Sequence, residues 1–149
     1  ESYLYLINTR YNNNLNISIS IDEDCLQLMI PQLVLQPIIE NAIEHGLQKR
    51  LINNDGNAQL KIAGKLSEKT VIFEVFDNGI GMTDEQIKSA MLEKRQRYPE
   101  NSYHIGLSNI QNRILYKFGK KYGLTIGSEV TKYSTVSIKL PLLRKVNEE

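Results

Sequence analysis

The sequence predicts an α+β fold in which about three helices cover one face of a mixed, mostly antiparallel sheet. Strand-like and helix-like segments follow one another in the order strand, helix, two strands, helix, loop, helix, two strands. Strands in adjacent pairs form antiparallel hairpins, whereas a doubly wound parallel sheet needs strands that alternate with helices. The helical segments carry their apolar residues on one side, which indicates a two-layer sandwich.

The first third of the chain predicts a short helix, a strand and a long helix. Residues 1–10 have the pattern of the last turns of a helix, and residues 12–14 interrupt it. In residues 15–21 apolar residues alternate strictly with polar ones, as in a half-buried strand. The long helix follows, with Pro31 in its first turn. Pro37 lies inside it, where a proline removes one hydrogen bond and favours a kink.

The middle of the chain predicts a hairpin followed by a helix. After a loop at residues 53–57, strand patterns occupy residues 60–66 and 71–76, with a tight turn between them. The second of these strands has bulky residues on both faces, so we expect it at the centre of the sheet. Thr83 begins a helix, because Gln86 follows it at the spacing of a capping box.

The last third predicts one more helix and a second hairpin. After a charged run at residues 93–103, apolar residues recur at helical spacing between Leu107 and Phe118, and Gly119 ends this helix. The last two strands lie at residues 122–128 and 134–140.

Length and composition allow one domain and exclude several classes of protein. With 149 residues, of which 41% are hydrophobic, the chain can bury one core but not two ordinary ones. Its net charge of +1 creates no field that recruits nucleic acid or an anionic membrane. The longest apolar stretch, residues 28–39, is interrupted and too short to span a bilayer. The single cysteine, Cys25, excludes an internal disulfide and fits a reducing compartment.

Residues 33–46 are the most informative stretch, because as a helix they separate into two faces. The apolar face consists of Leu35, Ile38, Ile39, Ala42 and Ile43. The polar face consists of Glu40, Asn41, Glu44 and His45. Acceptor, amide and imidazole groups within one turn can hold a metal ion, position a water and meet an anion. An ordinary amphipathic helix with a solvated polar face explains the same pattern.

A second informative stretch, residues 77–82, directly follows the predicted central strand. The carboxylate of Asp77 can accept a hydrogen bond from a donor such as an exocyclic amine, and Gly79 and Gly81 allow a close backbone approach. Asp-Asn-Gly is also an ordinary turn. The stretch is not a P-loop, because no Gly-Lys-Ser/Thr follows, and it lacks the third glycine of the dinucleotide fingerprint.

The third informative stretch, residues 104–109, lies at the start of a helix. Gly106 leaves backbone N–H groups at the helix N-terminus free to meet an anion, and the helix dipole favours this. Taken alone, the stretch is only a helix start.

Together the three stretches resemble the sequence boxes of the GHKL ATPases. This superfamily contains gyrase, the heat-shock chaperone of the ninety-kilodalton class, the mismatch-repair ATPase and the sensor histidine kinases. The matching segments are residues 40–46 for the N box, 77–82 for the G1 box and 105–110 for the G2 box. The leader at residues 31–37 resembles one branch, the LytS/YesM-like sensor kinases of bacteria. Residues 5–10 and 128–141 resemble that branch as well, so the similarity spans nearly the whole chain and implies the Bergerat ATP-binding fold.

The resemblance implies a role for each matching residue. Asn41 would bind Mg²⁺ through its amide oxygen, a hard ligand for a hard ion, and Glu40 would be the general base or orient the attacking group. Asp77 would accept a hydrogen bond from the N6 amine of adenine. The implied ATP site consists of Asn41, Glu44, His45, Asp77, Gly79, Ile80, Gly81, Met82, His104, Ile105, Gly106, Leu107 and Ser134.

Three positions depart from the family pattern. Glu44 stands where many histidine kinases have a lysine, so one phosphate contact is missing or comes from the implied lid at residues 93–104. His104 replaces the usual first glycine of the G2 box, which should stiffen the lid hinge. The segment Gly-x-Gly-Thr reads Thr-Lys-Tyr-Ser at residues 131–134. It keeps a hydroxyl at Ser134 but loses both glycines, and we expect a reduced nucleotide affinity.

The resemblance implies the ATP-binding catalytic domain of a two-component sensor histidine kinase, which transfers the γ-phosphoryl group of ATP to a histidine. Neither His45 nor His104 matches the family's phosphoacceptor, so we expect the acceptor on an upstream dimerisation helix. Residues 1–12 would be the end of that helix and residues 13–149 the catalytic domain. The implied partners are ATP, the protein's own phosphoacceptor helices in a homodimer, and a cognate response regulator. The implied location is the cytoplasmic side of a bacterial cell membrane.

Two other functions stay open at this stage. The missing glycines and Glu44 also fit a degenerate nucleotide-binding domain without kinase activity. An ATP-hydrolysing clamp like those of gyrase and mismatch repair would share the three boxes, but the kinase-like leader at residues 31–37 argues against it.

Overall fold

A computed structural model of the protein describes residues 2–53, 56–92 and 106–143. Its described part contains a five-stranded sheet in the order β1-β2-β3-β5-β4. The strands are β1 (Leu15–Ile21), β2 (Ala58–Ser67), β3 (Thr70–Asp77), β4 (Gly123–Glu129) and β5 (Tyr133–Pro141). β1 and β2 are parallel, and the other neighbours are antiparallel. The predicted mixed, mostly antiparallel sheet and the central place of β3 are therefore confirmed.

Four helices in the described residues accompany this sheet. They are α1 (Ser2–Arg10), α2 (residues 35–52), α3 (Asp84–Met91) and α4 (Leu107–Phe118), and a 3₁₀ turn lies at Glu23–Gln27. Along β3, Val71, Phe73 and Val75 are buried, whereas Ile72 and Glu74 are exposed. One face of the sheet therefore packs against helices and the other meets solvent, which confirms the two-layer α+β architecture.

The hydrophobic core lies between the helices and the covered face of the sheet. Its most deeply buried large side chains are Ile38, Ile43, Leu47, Leu60, Ile110, Ile114, Ile138 and Leu140. Burial of such side chains provides the main driving force that holds the two layers together. No helix in the described ranges is long and apolar enough to cross a membrane.

The long helix α2 begins later than the sequence predicts. Pro31 does not lie in its first turn, because Leu33 has a φ of 56°, a left-handed conformation through which a right-handed helix cannot continue. The helix starts at Leu35, so Pro37 is its third residue. Nitrogen atoms in the first turn have no helical acceptor, and Pro37 therefore removes no hydrogen bond. The predicted loss of a hydrogen bond at Pro37 is wrong for this reason.

In place of a proline kink, α2 contains a π-helical turn. The α-helical segment Leu35–Asn41 passes into the π turn Ala42–Leu47, and the α-helix resumes at Gln48–Ile52. π turns are rare and often mark functional sites. The two predicted faces are nonetheless present, since Ile38, Ala42 and Ile43 are buried. Glu44 and His45, which belong to the polar face, are exposed.

The other predicted boundaries agree with the structure. Thr83 caps α3 in the predicted capping box: its Oγ1 accepts from Gln86 N (3.3 Å), and Gln86 Oε1 accepts from Thr83 N (2.8 Å). Gly119 ends α4 with a φ of 86°. The charged run at residues 93–103 lies outside the described residues.

The turn between β4 and β5 contains a strained residue. Thr131 has a φ of 67°, in the left-handed region that glycine adopts readily and a β-branched residue rarely does. The conformation aims its backbone N–H at the carbonyl oxygen of Ile80, 2.7 Å away. The strain is therefore linked to a contact between this turn and the segment that follows β3.

We predict that Thr131→Gly raises the free energy of unfolding. Glycine removes left-handed strain of roughly 1–2 kcal/mol, and the greater entropy of the unfolded chain offsets about half of it, so the net gain is about 0.5–1 kcal/mol. Urea denaturation with an unchanged m value measures this gain. Thr125→Gly, at an exposed position of β4, is the control and should lower stability. A Thr131→Gly variant no more stable than the natural chain would contradict the prediction.

Candidate functional site

The first two informative stretches meet at one end of the sheet around a cavity of about 250 Å³. The cavity lies between the π turn of α2, the segment after β3 and the first residues of β5. It is lined by Asn41, His45, Gly46, Asp77, Ile80, Gly81, Met82, Gln86 and Ser134. Its volume is slightly below that of cavities that enclose a whole drug-sized ligand, so it is suited to one ring system of a larger molecule.

Asp77 and Ser134 are the buried polar side chains of the described residues, at 3% and 5% exposure. They are direct cross-strand partners, since Asp77 ends β3 and Ser134 faces it on β5. Polar residues are rarely buried in a sheet without a partner or a role. Their pairing at the cavity makes this end of the sheet the candidate binding site.

The Asp77 carboxylate is a buried hydrogen-bond acceptor. Burial raises its pKa from 3.8 to about 6, and the N–H of Gly79, which donates to Oδ1 at 2.9 Å, partly opposes that rise. At neutral pH the group is ionised but poorly solvated. A ligand that donates a hydrogen bond to it therefore restores stabilisation that burial has removed.

Two glycines bring α2 into direct contact with the segment after β3. A Cβ atom at Gly46 would clash with the Asp77 carboxylate, and one at Gly79 would clash with the carbonyl of Gly46. The close approach allows Ile80 N to donate to Gly46 O at 3.1 Å. These positions accept only glycine, because a backbone or buried carboxylate cannot move aside as a flexible side chain can.

Asn78 holds the start of the segment at residues 77–82 in place through hydrogen bonds. Its Oδ1 accepts from Gln59 N (2.8 Å) and its Nδ2 donates to Asn57 O (2.7 Å). Arg50, in the last part of α2, donates from Nε to the Asn78 carbonyl at 2.9 Å. Asn78 therefore positions its neighbour Asp77 and does not itself line the cavity.

The turn between β4 and β5 holds the other side of the segment. Gly81, with a φ of 67°, packs against the backbone of Glu129 and leaves no room for a side chain. Met82 N donates to Ser128 Oγ at 2.8 Å, beside the Thr131–Ile80 contact. Residues 77–82 are thus held between α2 and this turn.

The polar face of α2 extends from the cavity toward α1. Glu40 accepts a hydrogen bond from Gln36 Nε2 at 2.9 Å, one helical turn earlier, and does not line the cavity. Tyr3 of α1 lies close enough to Glu40 for that carboxylate to affect the pKa of its phenol. Burial, and after it the carboxylates of Glu40 and Glu44, raise the pKa of Tyr3 to about 12. The acidic side chains of this face therefore act electrostatically on Tyr3.

The predicted site residues fall into three groups. The cavity brings together Asn41, His45, Asp77, Ile80, Gly81, Met82 and Ser134. Residues that do not line it are Glu40, Glu44, Gly79, Gly106 and Leu107. His104 and Ile105 lie outside the described residues. Gly106 is the N-cap of α4, and among the described residues no side chain caps this helix.

Sequence reasoning missed three residues at the site. Gly46 is the last residue of the N-box segment. Its position in that motif was a signal that a glycine is needed where α2 meets Asp77. Gln86 was assigned to the capping box, which it forms while also lining the cavity. Nothing in the sequence pointed to Ser128, because its role depends on a contact across 46 residues.

Asn41 fits a metal ion that arrives with a ligand better than a self-contained metal site. Within the described ranges no group of three or more His, Cys, Asp or Glu residues is arranged to hold a metal. Mg²⁺ keeps several waters and takes few protein ligands when substrate phosphates complete its shell. The amide oxygen of Asn41 at the cavity meets that requirement.

Comparison with known proteins identifies the family of the chain. Residues 15–144 match the family described as histidine kinase-, DNA gyrase B-, and HSP90-like ATPase. The chain is 31% identical over 144 residues to the sensor histidine kinase YesM of Bacillus subtilis (strain 168), covering 97% of this chain and 22% of that protein. It is 30% identical over 149 residues to the sensor protein LytS of Bacillus anthracis, covering 100% and 24%. The chain thus spans about a quarter or less of these relatives.

Solved structures share the fold. The nucleotide-free catalytic domain of the histidine kinase ThkA matches with a TM-score of 0.66 at 16% identity, covering 96% of this chain and 90% of that chain. ThkA in complex with the response regulator protein TrrA matches with a TM-score of 0.65 at 16% identity, covering 94% and 38%. Since the family match covers most of the chain and the fold agrees, this chain belongs to the family of histidine kinase-, DNA gyrase B- and HSP90-like ATPases, and it is similar to the sensor histidine kinases of the YesM and LytS type.

Proposed function

We propose that this chain is the ATP-binding catalytic domain of a two-component sensor histidine kinase and transfers the γ-phosphoryl group of ATP to a histidine on a dimerisation helix. The observation that carries the proposal is the buried pair of Asp77 and Ser134 at the cavity that Asn41 and His45 also line. A buried acceptor suits the base of a nucleotide, and amide and imidazole groups suit its phosphates. Membership of the family of histidine kinase-, DNA gyrase B- and HSP90-like ATPases supports this proposal.

In the proposed complex, each wall of the site has a separate task. Asp77 accepts from the exocyclic amine of adenine, while Ile80, Gly81 and Met82 form the floor under the base and Gly79 lets their segment approach α2. Asn41 would hold Mg²⁺, which would neutralise phosphate charge when bound, and His45 would meet phosphate oxygens. Gly106 and Leu107 present their backbone N–H groups at the start of α4 to the phosphates. Glu40, already oriented by Gln36, is the base or orients the attacking group.

The catalytic domain works together with other parts of the full-length protein and with a partner protein. The acceptor histidine lies on a helix of the protein's own dimer, of which residues 1–12 form the end, and residues 13–149 are the catalytic unit. The cognate partner is a response regulator; the structurally similar ThkA has been solved in complex with the response regulator protein TrrA. The domain works on the cytoplasmic side of the cell membrane. Glu44 replaces a phosphate-binding lysine in this arrangement, and His104 and Ile105 belong to the phosphate-binding segment.

Asp77 should decide which base is bound. Natural chain should prefer ATP over GTP by about 10- to 100-fold, because an unsatisfied buried group on the wrong base costs about 1–3 kcal/mol. Asp77→Asn should erase that preference, since the new amide can donate to the 6-oxo group of guanine. Calorimetric titration of both nucleotides measures the preference for ATP over GTP, and Glu74→Gln on the exposed face of the sheet is the control. Equal affinity of the natural chain for ATP and GTP would contradict the role.

The same Asp77→Asn variant should be more stable than the natural chain at pH 7.5. Because burial raises the folded pKa from 3.8 to about 6, the folded state binds more protons than the unfolded state between these values. The free energy of unfolding of the natural chain therefore falls as pH rises through this range, by about 3 kcal/mol between a pH well below the first value and a pH well above the second. Urea denaturation at pH 4.5 and 7.5 should show the variant's advantage growing with pH; a constant difference would refute the assignment.

Asn41 should set the Mg²⁺ dependence of binding. Asn41→Ala removes the amide ligand, and Mg²⁺ should then improve the affinity for a non-hydrolysable ATP analogue by roughly tenfold less than in the natural chain. Asn16→Ala, in β1 and away from the cavity, is the matched control. Titrations with and without Mg²⁺ measure the effect, and circular dichroism verifies the fold. A variant that keeps the full Mg²⁺ dependence would rule out this ligand.

The chain should bind ATP without phosphorylating itself. Phosphoryl transfer needs a nucleophile held in line with the γ-phosphorus, and His45 on the cavity wall is placed to contact phosphate oxygens. Incubation with γ-labelled ATP and Mg²⁺ should label neither histidine. Adding the upstream dimerisation segment of the full-length protein as a separate fragment should produce acid-labile label on that fragment. Rapid labelling of His45 or His104 would overturn the proposal, and ATP binding without any transfer would favour a degenerate domain.

A further inference from the structure

The hydroxyl group of Ser128 on β4 lies next to the cavity and uses its full capacity for hydrogen bonds. Its Oγ lies 2.8 Å from Met82 N, 2.7 Å from the carbonyl oxygen of Tyr133 and 3.1 Å from Ser134 Oγ. Ser128 and Ser134 are cross-strand partners on β4 and β5, and Ser134 in turn is the partner of Asp77 on β3. The three side chains therefore form one row across the sheet that ends at the cavity.

The directions of these hydrogen bonds follow from the groups involved. A carbonyl oxygen can only accept, so the single proton of the Ser128 hydroxyl points to Tyr133 O. The N–H of Met82 can only donate, so it uses one lone pair of Ser128 Oγ. Only the second lone pair is left for the contact with Ser134. The Ser134 hydroxyl must therefore donate to Ser128.

This direction determines what Ser134 offers to a ligand. Its one proton is engaged by Ser128, so the oxygen presents lone pairs alone to the cavity. The neighbouring Asp77 carboxylate is also an acceptor and is directly opposite in the sheet. The buried end of the cavity thus has two adjacent acceptors, which attract an amine or a donating water and disfavour a carbonyl oxygen.

We propose that Ser128 is a positioning residue that fixes the Ser134 hydroxyl as an acceptor, and that it thereby helps the cavity to distinguish a 6-amino purine from a 6-oxo purine. This inference rests on the proposed binding of ATP. It assigns part of the base selectivity to a residue that does not line the cavity. Ser128 acts through Ser134 and, by way of Met82, through the segment that carries Asp77.

Binding of ATP and inosine triphosphate provides the test, because the two nucleotides differ only at the 6-position and the adjacent ring nitrogen. In Ser128→Ala, the Ser134 hydroxyl is released and can turn to donate to the 6-oxo group. The dissociation constant of inosine triphosphate divided by that of ATP should therefore fall by roughly three- to tenfold relative to the natural chain. Ser128→Thr retains a hydroxyl and should restore the ratio. Ser137→Ala, on the other face of β5, should leave it unchanged.

A merely structural role for Ser128 would give a different result. If Ser128→Ala only loosened the segment at residues 77–82, both nucleotides would lose affinity by the same factor and the ratio would stay constant. That outcome, or failure of Ser128→Thr to restore a lowered ratio, would overturn the inference. Ser134→Ala should also lower the ratio, because it removes the acceptor itself.

A measurement without nucleotide separates this inference from the proposed function. If the natural chain binds neither nucleotide, the proposed function fails, while the hydrogen-bond directions can still be tested by NMR. The Ser134 hydroxyl proton, observed through the isotope shift of its Cβ in mixed H₂O and D₂O, should exchange slowly in the natural chain and fast in Ser128→Ala. Met82 N–H exchange should accelerate in the same variant. Unchanged exchange at both groups would refute the assigned directions.

Discussion

The contact between α2 and the end of β3 is the constraint on which the rest of the site depends. The Gly46 carbonyl accepts from Ile80 N, and the absence of a side chain at Gly46 and Gly79 lets the helix touch the Asp77 carboxylate. This contact brings the polar face of one element beside the buried acceptor of another. A larger residue at either glycine would separate the two walls of the cavity, so the glycines set its width.

The site retains features that lower stability and that a ligand can use. The Asp77 carboxylate is ionised at neutral pH in a place that disfavours charge, and its pKa of about 6 reflects that cost. Thr131 adopts a left-handed conformation while its N–H holds Ile80. Asp77 belongs to residues 77–82, and Thr131 contacts that segment through Ile80. Strain and desolvation gathered in this way are typical of binding sites, where ligand contacts compensate for them.

Hydrogen bonds from both halves of the chain hold residues 77–82 in place. Asn78 and Arg50 secure the segment from the side of β2 and α2, and Ser128 secures it from β4. A six-residue segment with two glycines is flexible by itself. Fastened on both sides, it holds its one carboxylate in a fixed place, which a selective binding site requires because an acceptor that moves discriminates poorly between ligands.

The sequence by itself determined the element order, the central strand, the capping box at Thr83 and the three boxes, because these depend on local periodicity and short motifs. It also predicted that Asp77, Asn41 and His45 belong to one site, and the structure places all three at one cavity. The tertiary structure alone decided where α2 begins, because the left-handed Leu33 depends on its surroundings and not on a propensity. Likewise, only the paired strands reveal Ser128, which meets Met82 across 46 residues of chain. Contacts between distant segments arise from packing, and no local pattern encodes them.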